Sequence, residues 1–466
     1  MAQFLVSAAH KSSGKTTISI GLCAALSAKG HSVQPFKKGP DYIDPLWLSQ
    51  ASGKPCYNLD FYLSSPEEIR DSYRRHSVGS DIQLIEANKG LYDGLDLDGS
   101  NSNAALAKLV DAPVVLVIDV RGMTRGIAPL VLGYQQFDPD INIAGVIFNQ
   151  VRGSRHESKL RAVIEHYTDV PVLGSVHHDP GMKIIERHLG LMPSNERQEA
   201  EQKIQHIGKQ VANQIDLDQL LAVAGNSPAA PAESISTPSV RKDIRIGIAR
   251  DAAFGFYYPD DQEAFARAGA ELVPFNTLTD ESLPNVDALF IGGGFPEIHM
   301  EALSANKAMR EAVRTAIENG MPVYAECGGL MYLAREISWR EKTCEMVGAV
   351  PADVLMHERP VGRGYTVLEK TGTGLWSTQA AGNEELFSAH EFHYSSLENL
   401  DPDTVFAYEV KRGVGIDGKH DGIVYKNLLA SYVHQRDVES NHWTRQFVDF
   451  IRKNKHNVQS ANKAIG

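Results

Sequence analysis

Phe4-Leu5-Val6-Ser7-Ala8-Ala9-His10-Lys11-Ser12-Ser13-Gly14-Lys15-Thr16-Thr17 decides the fold class. Its apolar start predicts a short strand at 4–7, and the apolar spacing that follows predicts a helix over about 16–29, closed by Gly30. The turn between them fits a Walker A loop apart from Ala9, which stands where the first glycine of that pattern belongs. In a strand–loop–helix setting the backbone N–H groups and the positive helix end hold phosphates. Gly14, Lys15, Thr16 and Thr17 then form an ATP site, with Lys15 reaching the β and γ oxygens and Thr16 ligating Mg2+.

Buried-strand runs follow at 33–36, 83–85, 114–119 and 143–148, separated by helical stretches. This alternation predicts an α/β fold with a mostly parallel sheet covered by helices. Ligands of such sheets bind beyond the carboxyl ends of the strands. Two acids occupy that position, Asp41 after Phe36-Lys37-Lys38-Gly39-Pro40 and Glu86 after Leu84-Ile85, and both are candidates for the magnesium site. Asn149, after Val146-Ile147-Phe148, is a candidate reader of the nucleotide base or, equally, a turn-forming residue.

The whole chain has 466 residues, of which 42% are hydrophobic, and 46 basic against 58 acidic side chains give a net charge of −12. Two or three domains are expected at roughly 150 residues each. An acidic balance argues against nonspecific nucleic-acid binding, which needs a basic footprint. The longest apolar run, 112–118, is far short of the roughly 18 residues a membrane span needs. No charged leader precedes a long apolar core, so a cytoplasmic protein is expected. The four cysteines, Cys23, Cys56, Cys327 and Cys344, lack zinc or disulfide spacing.

A stretch rich in small residues and proline at 222–239 reads as an interdomain linker. Beyond it, strand runs at 244–248, 271–274, 288–291 and 322–324 predict a second α/β domain, and the polar end from 453 onward is expected to fray. Pro322-Val323-Tyr324-Ala325-Glu326-Cys327-Gly328-Gly329 reads as a strand-to-helix turn exposing Cys327 at its apex, where the helix end favours a thiolate nucleophile. Gly328 and Gly294, the latter in Gly292-Gly293-Gly294-Phe295-Pro296-Glu297, are candidate oxyanion donors, and His434 is the candidate base. The adjacent His177-His178 lacks helical metal-ligand spacing and reads as a loop or substrate-facing contact.

With these residues in place, the chain resembles the cobyrinate a,c-diamide synthase family over nearly its whole length. Beyond the Walker loop the resemblance rests on Pro35-Phe36-Lys37, Gly39-Pro40-Asp41-Tyr42-Ile43-Asp44, Gly90-Leu91-Tyr92-Asp93-Gly94, Arg187-His188-Leu189-Gly190-Leu191 and Ala252-Ala253-Phe254. The Gly292–Glu297 block, Glu326-Cys327-Gly328-Gly329-Leu330-Met331 and His390-Glu391-Phe392-His393-Tyr394-Ser395 complete it. The resemblance implies a P-loop, dethiobiotin-synthetase-like amide synthetase domain over 1–221, a linker over 222–242, a class I glutamine amidotransferase domain of the cobyric-acid type over 243–455, and a polar tail over 456–466.

It also implies ATP- and glutamine-dependent amidation of the a and c acetates of an acidic tetrapyrrole. Thr16, Asp41 and Glu86 would hold Mg2+, Tyr42 and Ile43 would border the substrate carboxylate, and Asp93 would support the synthetase chemistry. Cys327 would be the glutaminase nucleophile and His434 its base. The usual acid of a His-x-Glu arrangement is missing, because Gln435 and Arg436 follow His434, and the family branch implies that this acid is dispensable.

Ala87-Asn88-Lys89, the polar stretch 95–103 and His177-His178-Asp179 depart from the family pattern. They keep siroheme amidation and nickel-sirohydrochlorin diamide synthesis as alternatives, beside a cobyric acid synthase or a glutamine-dependent nucleotide synthetase. A regulatory P-loop ATPase with a dead second domain would have lost Cys327 or His434, and both are present. A homodimer is suggested by family analogy alone.

Overall fold

The run that opens the chain becomes the centre of a sheet because both of its faces are buried. In the computed structural model, which describes residues 1–184, 186–187, 190–191, 197–226, 242–376 and 386–465, β1 (Ala2–Ala8) is followed by α1 (Lys15–Ala28). Next come β2 (Val33–Lys38), α2 (Ile43–Ser52), β3 (Tyr57–Leu59), α3 (Pro66–Ser77), β4 (Ile82–Glu86) and α4 (Asn103–Val110). β5 (Val114–Asp119), α5 (Ile127–Phe137), β6 (Ile143–Val151), α6 (Ser154–Tyr167), β7 (Val172–His177) and α7 (Arg197–Gln214) complete the sequence of main elements.

The seven strands pair in parallel in the order β3-β2-β4-β1-β5-β6-β7, and a two-residue strand, Gly225–Asn226, adds antiparallel to β1. Continuous apolar strands such as Val114–Asp119 suit this arrangement, since helices cover both faces. Leu5, Phe36, Ile85, Leu116 and Phe148 lie in one buried cluster, each contributing about 1.5–3 kcal/mol of hydrophobic stabilisation. The chain order reverses on either side of β1, which is paired with β4 and β5. The loop after β1 therefore opens at the switch point where α/β sheets bind ligands.

The chain divides into two units, Met1–Ser234 and Ile235–Gly466. Residues 227–241 of the expected linker, and His188 and Leu189 of the Arg187–Leu191 motif, lie outside the described residues.

The second unit has a nine-stranded sheet. Five parallel strands come first, in the order Ala270–Phe275, Ile244–Ala249, Ala288–Ile291, Val323–Glu326 and Leu428–Ser431. The antiparallel strands His420–Tyr425, Val405–Arg412, Gly362–Lys370 and Leu386–His393 extend it. This extension, and a separate four-stranded sheet that includes Glu336–Trp339, go beyond the parallel pattern read from the sequence.

The expectation of a frayed end is corrected: one helix runs over Trp443–Ile465. Trp443, Phe447, Val448 and Ile451, at helical spacing, bury one face of it in a cluster with Phe265, Phe290 and Tyr324. That anchored first half nucleates a helix which the polar residues beyond it then continue.

Candidate active site

Two reactive clusters emerge, one in each unit. In the first, the N-cap of α1 is Gly14 at φ 84°, a left-handed conformation costing another residue about 1–2 kcal/mol. A Cβ at Gly14 would also stand 2.1 Å from Asn149 Nδ2. The Asn149 amide donates to the Ser13 carbonyl at 2.8 Å, and the Ser13 hydroxyl donates to the His10 carbonyl at 2.8 Å. Asn149, expected to read a base, thus spends its amide on the shape of the phosphate loop. Gly14→Ala is expected to weaken Mg-ATP binding at least tenfold and to lower stability by about 1–3 kcal/mol, measured by titration calorimetry and urea unfolding.

At Ala9, where the Walker pattern departs, the Tyr134 hydroxyl donates to the Ala9 carbonyl, and the Tyr92 hydroxyl in turn donates to the Tyr134 carbonyl at 2.5 Å. The Leu91 N–H donates to the Ala8 carbonyl at 2.9 Å, so the Gly90–Gly94 turn lies against the phosphate loop. Asp93 in that turn accepts from the Gly90 N–H at 2.9 Å.

The end of the sheet assembles the charge. Lys37 and Glu86 are register partners across β2 and β4 and so share a face. Lys37 Nζ lies 3.1 Å from Glu86 Oε1 and 3.8 Å from Asp41 Oδ2, and it donates to Asp44 Oδ2. Thr16, in the first turn of α1, donates to Glu86 Oε1 at 2.6 Å and lies 3.4 Å from Asp44 Oδ2.

Glu86 is 0% exposed and Lys37 2%. Burial alone would lower the Lys37 ammonium, but Asp44, Glu86 and Asp41 outweigh it and raise it well above the ordinary lysine range. Lys15 is lowered by burial and by neighbouring Lys37. Burial and Asp44 push the Asp41 carboxyl up to about 7 against the pull of Lys37, whereas Lys37 holds Asp44 down in spite of burial. Asp41 also accepts from the Ile43 N–H at 2.8 Å, and Tyr42 caps α2, so the expected substrate-bordering pair begins a helix at the rim of this cluster.

The donor set fits magnesium. Glu86 Oε2 is buried without a hydrogen-bond partner, an unusual state for a carboxylate oxygen and one a cation would satisfy. Among the described residues no cluster of three or more His, Cys, Asp or Glu side chains forms a self-sufficient cage. Mg2+ requires none, being held by one or two carboxylates, phosphate oxygens and water. Lys37 and Asp44 lie within the Pro35–Lys37 and Gly39–Asp44 blocks of the sequence, but nothing local shows that they meet Glu86; that proximity exists only once β2 and β4 pair.

In the second unit, Val323–Glu326 lies between Ala288–Ile291 and Leu428–Ser431, with Glu326 in register with Ser431. The Cys327 N–H donates to the Ser431 carbonyl at 2.7 Å, and the chain then turns sharply at Cys327, with φ 47° and ψ −102°. A non-glycine residue in that region is strained, as functional turns often are. The helix Gly328–Leu333 follows. A Cβ on Gly328 would fall 2.9 Å from the Gly294 nitrogen, and one on Gly294 only 1.9 Å from the Ala253 carbonyl oxygen. Both positions demand glycine, and the contact brings two backbone segments with N–H groups together beside the thiol.

His434 follows the neighbouring strand and hydrogen-bonds Cys327. Burial alone would lower its imidazolium, but the charges of Cys327 and Glu326 prevail and push it up to about 10. Its ring stacks on His390 with centroids 4.9 Å apart, and the backbones of the two residues pair. Glu326 Oε2 lies 3.4 Å from His434 Nδ1. A carboxylate therefore adjoins the imidazole although the His-x-Glu position carries none. Arg436, where the His-x-Glu acid would stand, instead pairs with Asp260 at 2.6 Å.

The remaining histidine pair is engaged elsewhere. His177 Nε2 pairs with Glu157 at 3.1 Å, and His178 Nδ1 lies 2.7 Å from Gln150 Oε1.

Comparisons with known proteins also divide the chain in two. Residues 5–191 match the CobQ/CobB/MinD/ParA nucleotide binding domain family, and residues 245–441 match the CobB/CobQ-like glutamine amidotransferase domain family. The chain is 45% identical over 458 residues to a cobyrinate a,c-diamide synthase of Magnetococcus marinus, covering 97% of each chain. It is 42% identical to a protein of the same name from Methanosarcina acetivorans, over 93% of this chain and 92% of that one. A third, from Methanosarcina barkeri, is 40% identical over 97% of this chain and 96% of the relative.

Proposed function

The chain belongs to the cobyrinate a,c-diamide synthase family, and from that membership we propose that it converts the a and c acetates of cobyrinate to amides, using ATP and glutamine. The observation that carries the reading is the presence on one chain of two complementary clusters. Lys15, Thr16, Lys37 and Glu86 gather at a phosphate loop, and Cys327 faces His434 at a strained turn.

A carboxylate resists attack by ammonia because its charge is delocalised and oxide is a very poor leaving group. Transfer of the ATP γ-phosphoryl group to the ring acetate removes both obstacles by making an acyl phosphate. Lys15 neutralises charge on the transferring group, and the Gly14 turn orients the phosphates. Tyr42 and Ile43 border the acceptor carboxylate, and Asp93 supports the synthetase chemistry. Mg2+, held by Thr16, Asp41 and Glu86, would neutralise further charge on the phosphates when bound.

Cys327 attacks the glutamine side-chain amide while Gly294 and Gly328 N–H groups receive the oxyanion. His434 delivers a proton to the departing ammonia and then activates water against the thioester. Ammonia, which becomes a non-nucleophile once protonated, displaces phosphate from the acyl phosphate and leaves the amide.

The substrate is tested by offering cobyrinate, siroheme and nickel sirohydrochlorin in parallel with Mg-ATP and glutamine and weighing the products. Each acid-to-amide exchange lowers the mass by about one unit, from the replacement of oxygen by NH. Two such exchanges on cobyrinate are expected. A product with siroheme alone would reject cobyrinate as the substrate.

No helix among the described residues is long and apolar enough to cross a membrane.

A further inference from the structure

We propose that Glu326, the residue immediately before the nucleophile, is the acid partner that orients His434, which makes the glutaminase centre a Cys-His-Glu relay with its acid drawn from the nucleophile's own strand. The inference rests on the glutaminase reading of Cys327 and His434.

Successive side chains of a strand point to opposite faces. Glu326 ends its strand and Cys327 follows it, so regular extension would send them apart. The turn at Cys327, with φ 47° and ψ −102°, breaks the alternation, and both side chains reach the same imidazole. Glu326 approaches Nδ1 at 3.4 Å, while the ring also hydrogen-bonds Cys327. A Nδ1–H held by a carboxylate leaves the other ring nitrogen to exchange protons at the reaction centre. The distance is long for a neutral hydrogen bond, within range of an ion pair, and of the kind that tightens when substrate binds.

The carboxylate is itself fixed. Its Oε1 accepts from the Gln435 N–H at 3.0 Å and from the Tyr324 hydroxyl at 2.8 Å, which leaves Oε2 directed at His434. Gln435 is anchored in turn by Tyr324, Tyr408 and Asn441. Glu326 and His434 are each only 2% exposed, so their attraction is little screened by water. The other groups around the pair suit this role: His390, stacked on His434, is lowered well below the ordinary histidine range by burial, by His434 and by Arg436, and Arg436 is occupied by Asp260. Glu326 is thus a positioning residue, acting through His434.

Glu326→Gln discriminates this role from packing, because it preserves volume and the acceptor at Oε1 but sets an amide NH2 against Nδ1. The imidazole is then driven to the opposite tautomer. Glutaminase kcat is expected to fall about 10- to 1000-fold with the KM for glutamine within about twofold, while amidation from ammonium salts is unchanged. Glu326→Asp, which restores the charge at shorter reach, should fall between wild type and Glu326→Gln. Glutaminase of wild-type strength in Glu326→Gln, or an Asp variant no better than the Gln variant, would overturn the proposal.

Nitrogen-15 NMR of the unaltered protein supplies a readout independent of any variant's folding. A His434 Nδ1 that carries a proton is expected, and a neutral ring protonated only at Nε2 would overturn the proposal. Wild-type protein without glutaminase activity would instead remove the underlying reading, and this inference with it.

Discussion

Cys327→Ala loses glutamine-dependent amidation by at least about a thousandfold, while amidation from ammonium salts stays within about twofold of wild type. The size of the effect follows from covalent catalysis: without sulfur no thioester forms, and the backbone N–H groups near Gly294 and Gly328 have no tetrahedral intermediate to stabilise. The selectivity follows from the architecture, because the phosphate loop and its carboxylates all lie in Met1–Ser234 and Cys327 in Ile235–Gly466. The substitution is structurally mild. Alanine can take the same φ of 47°, Cys327 is 4% exposed, and the thiol's contact to the Phe392 carbonyl, at 3.9 Å, is weak. A stability loss below about 1 kcal/mol is expected from so small a truncation. Steady-state rates with each nitrogen donor, measured beside a melting curve, check both parts.

Glu86→Gln gives the reciprocal pattern. Amidation falls by about two to three orders of magnitude whichever nitrogen donor is used, and glutaminase measured alone persists. Glu86 is the shared partner of Thr16 at 2.6 Å and Lys37 at 3.1 Å, and its second oxygen is the unpartnered acceptor in the cluster. Glutamine keeps the shape but removes the charge that fits a cation, and it weakens the compensation of a lysine that is 2% exposed. Asp44 and Asp41 still hold Lys37, so the stability loss should be about 1–3 kcal/mol, less than the cost of isolating a buried charge completely. Equal loss of glutaminase and amidation would point to general unfolding instead.

The degree to which the sequence anticipated these sites depends on how local each feature is. Ser13-Gly14-Lys15-Thr16 was legible because a phosphate loop is built from consecutive residues, and the apolar runs leading into it identified a buried parallel sheet. Cys327 was legible for the same reason, flanked by a strand and two glycines. For Lys37 and Asp44, though they stand inside quoted motifs, the place in the cluster was not legible, since it depends on the pairing that sets Lys37 beside Glu86. Glu326 was hidden by expectation as well as by distance: the acid was sought after His434 in the chain, but folding supplies it from 108 residues away. The helix Trp443–Ile465 was mistaken for a frayed end because its polar half carries no signal apart from the buried turns that start it. The antiparallel strands of the second sheet escaped because half-exposed strands such as Val405–Arg412 lack the continuous apolar run of a central strand.

The most direct test follows one nitrogen atom and one phosphoryl group through a single reaction. Purified protein is given cobyrinate, Mg-ATP and glutamine labelled with nitrogen-15 in its side-chain amide, and ADP, glutamate and the mass of the ring product are measured together. Coupled action of the two clusters predicts a diamide with heavy nitrogen in both new amides and one ADP for each amide formed. ADP released without amide, or amide formed without the label, would contradict it.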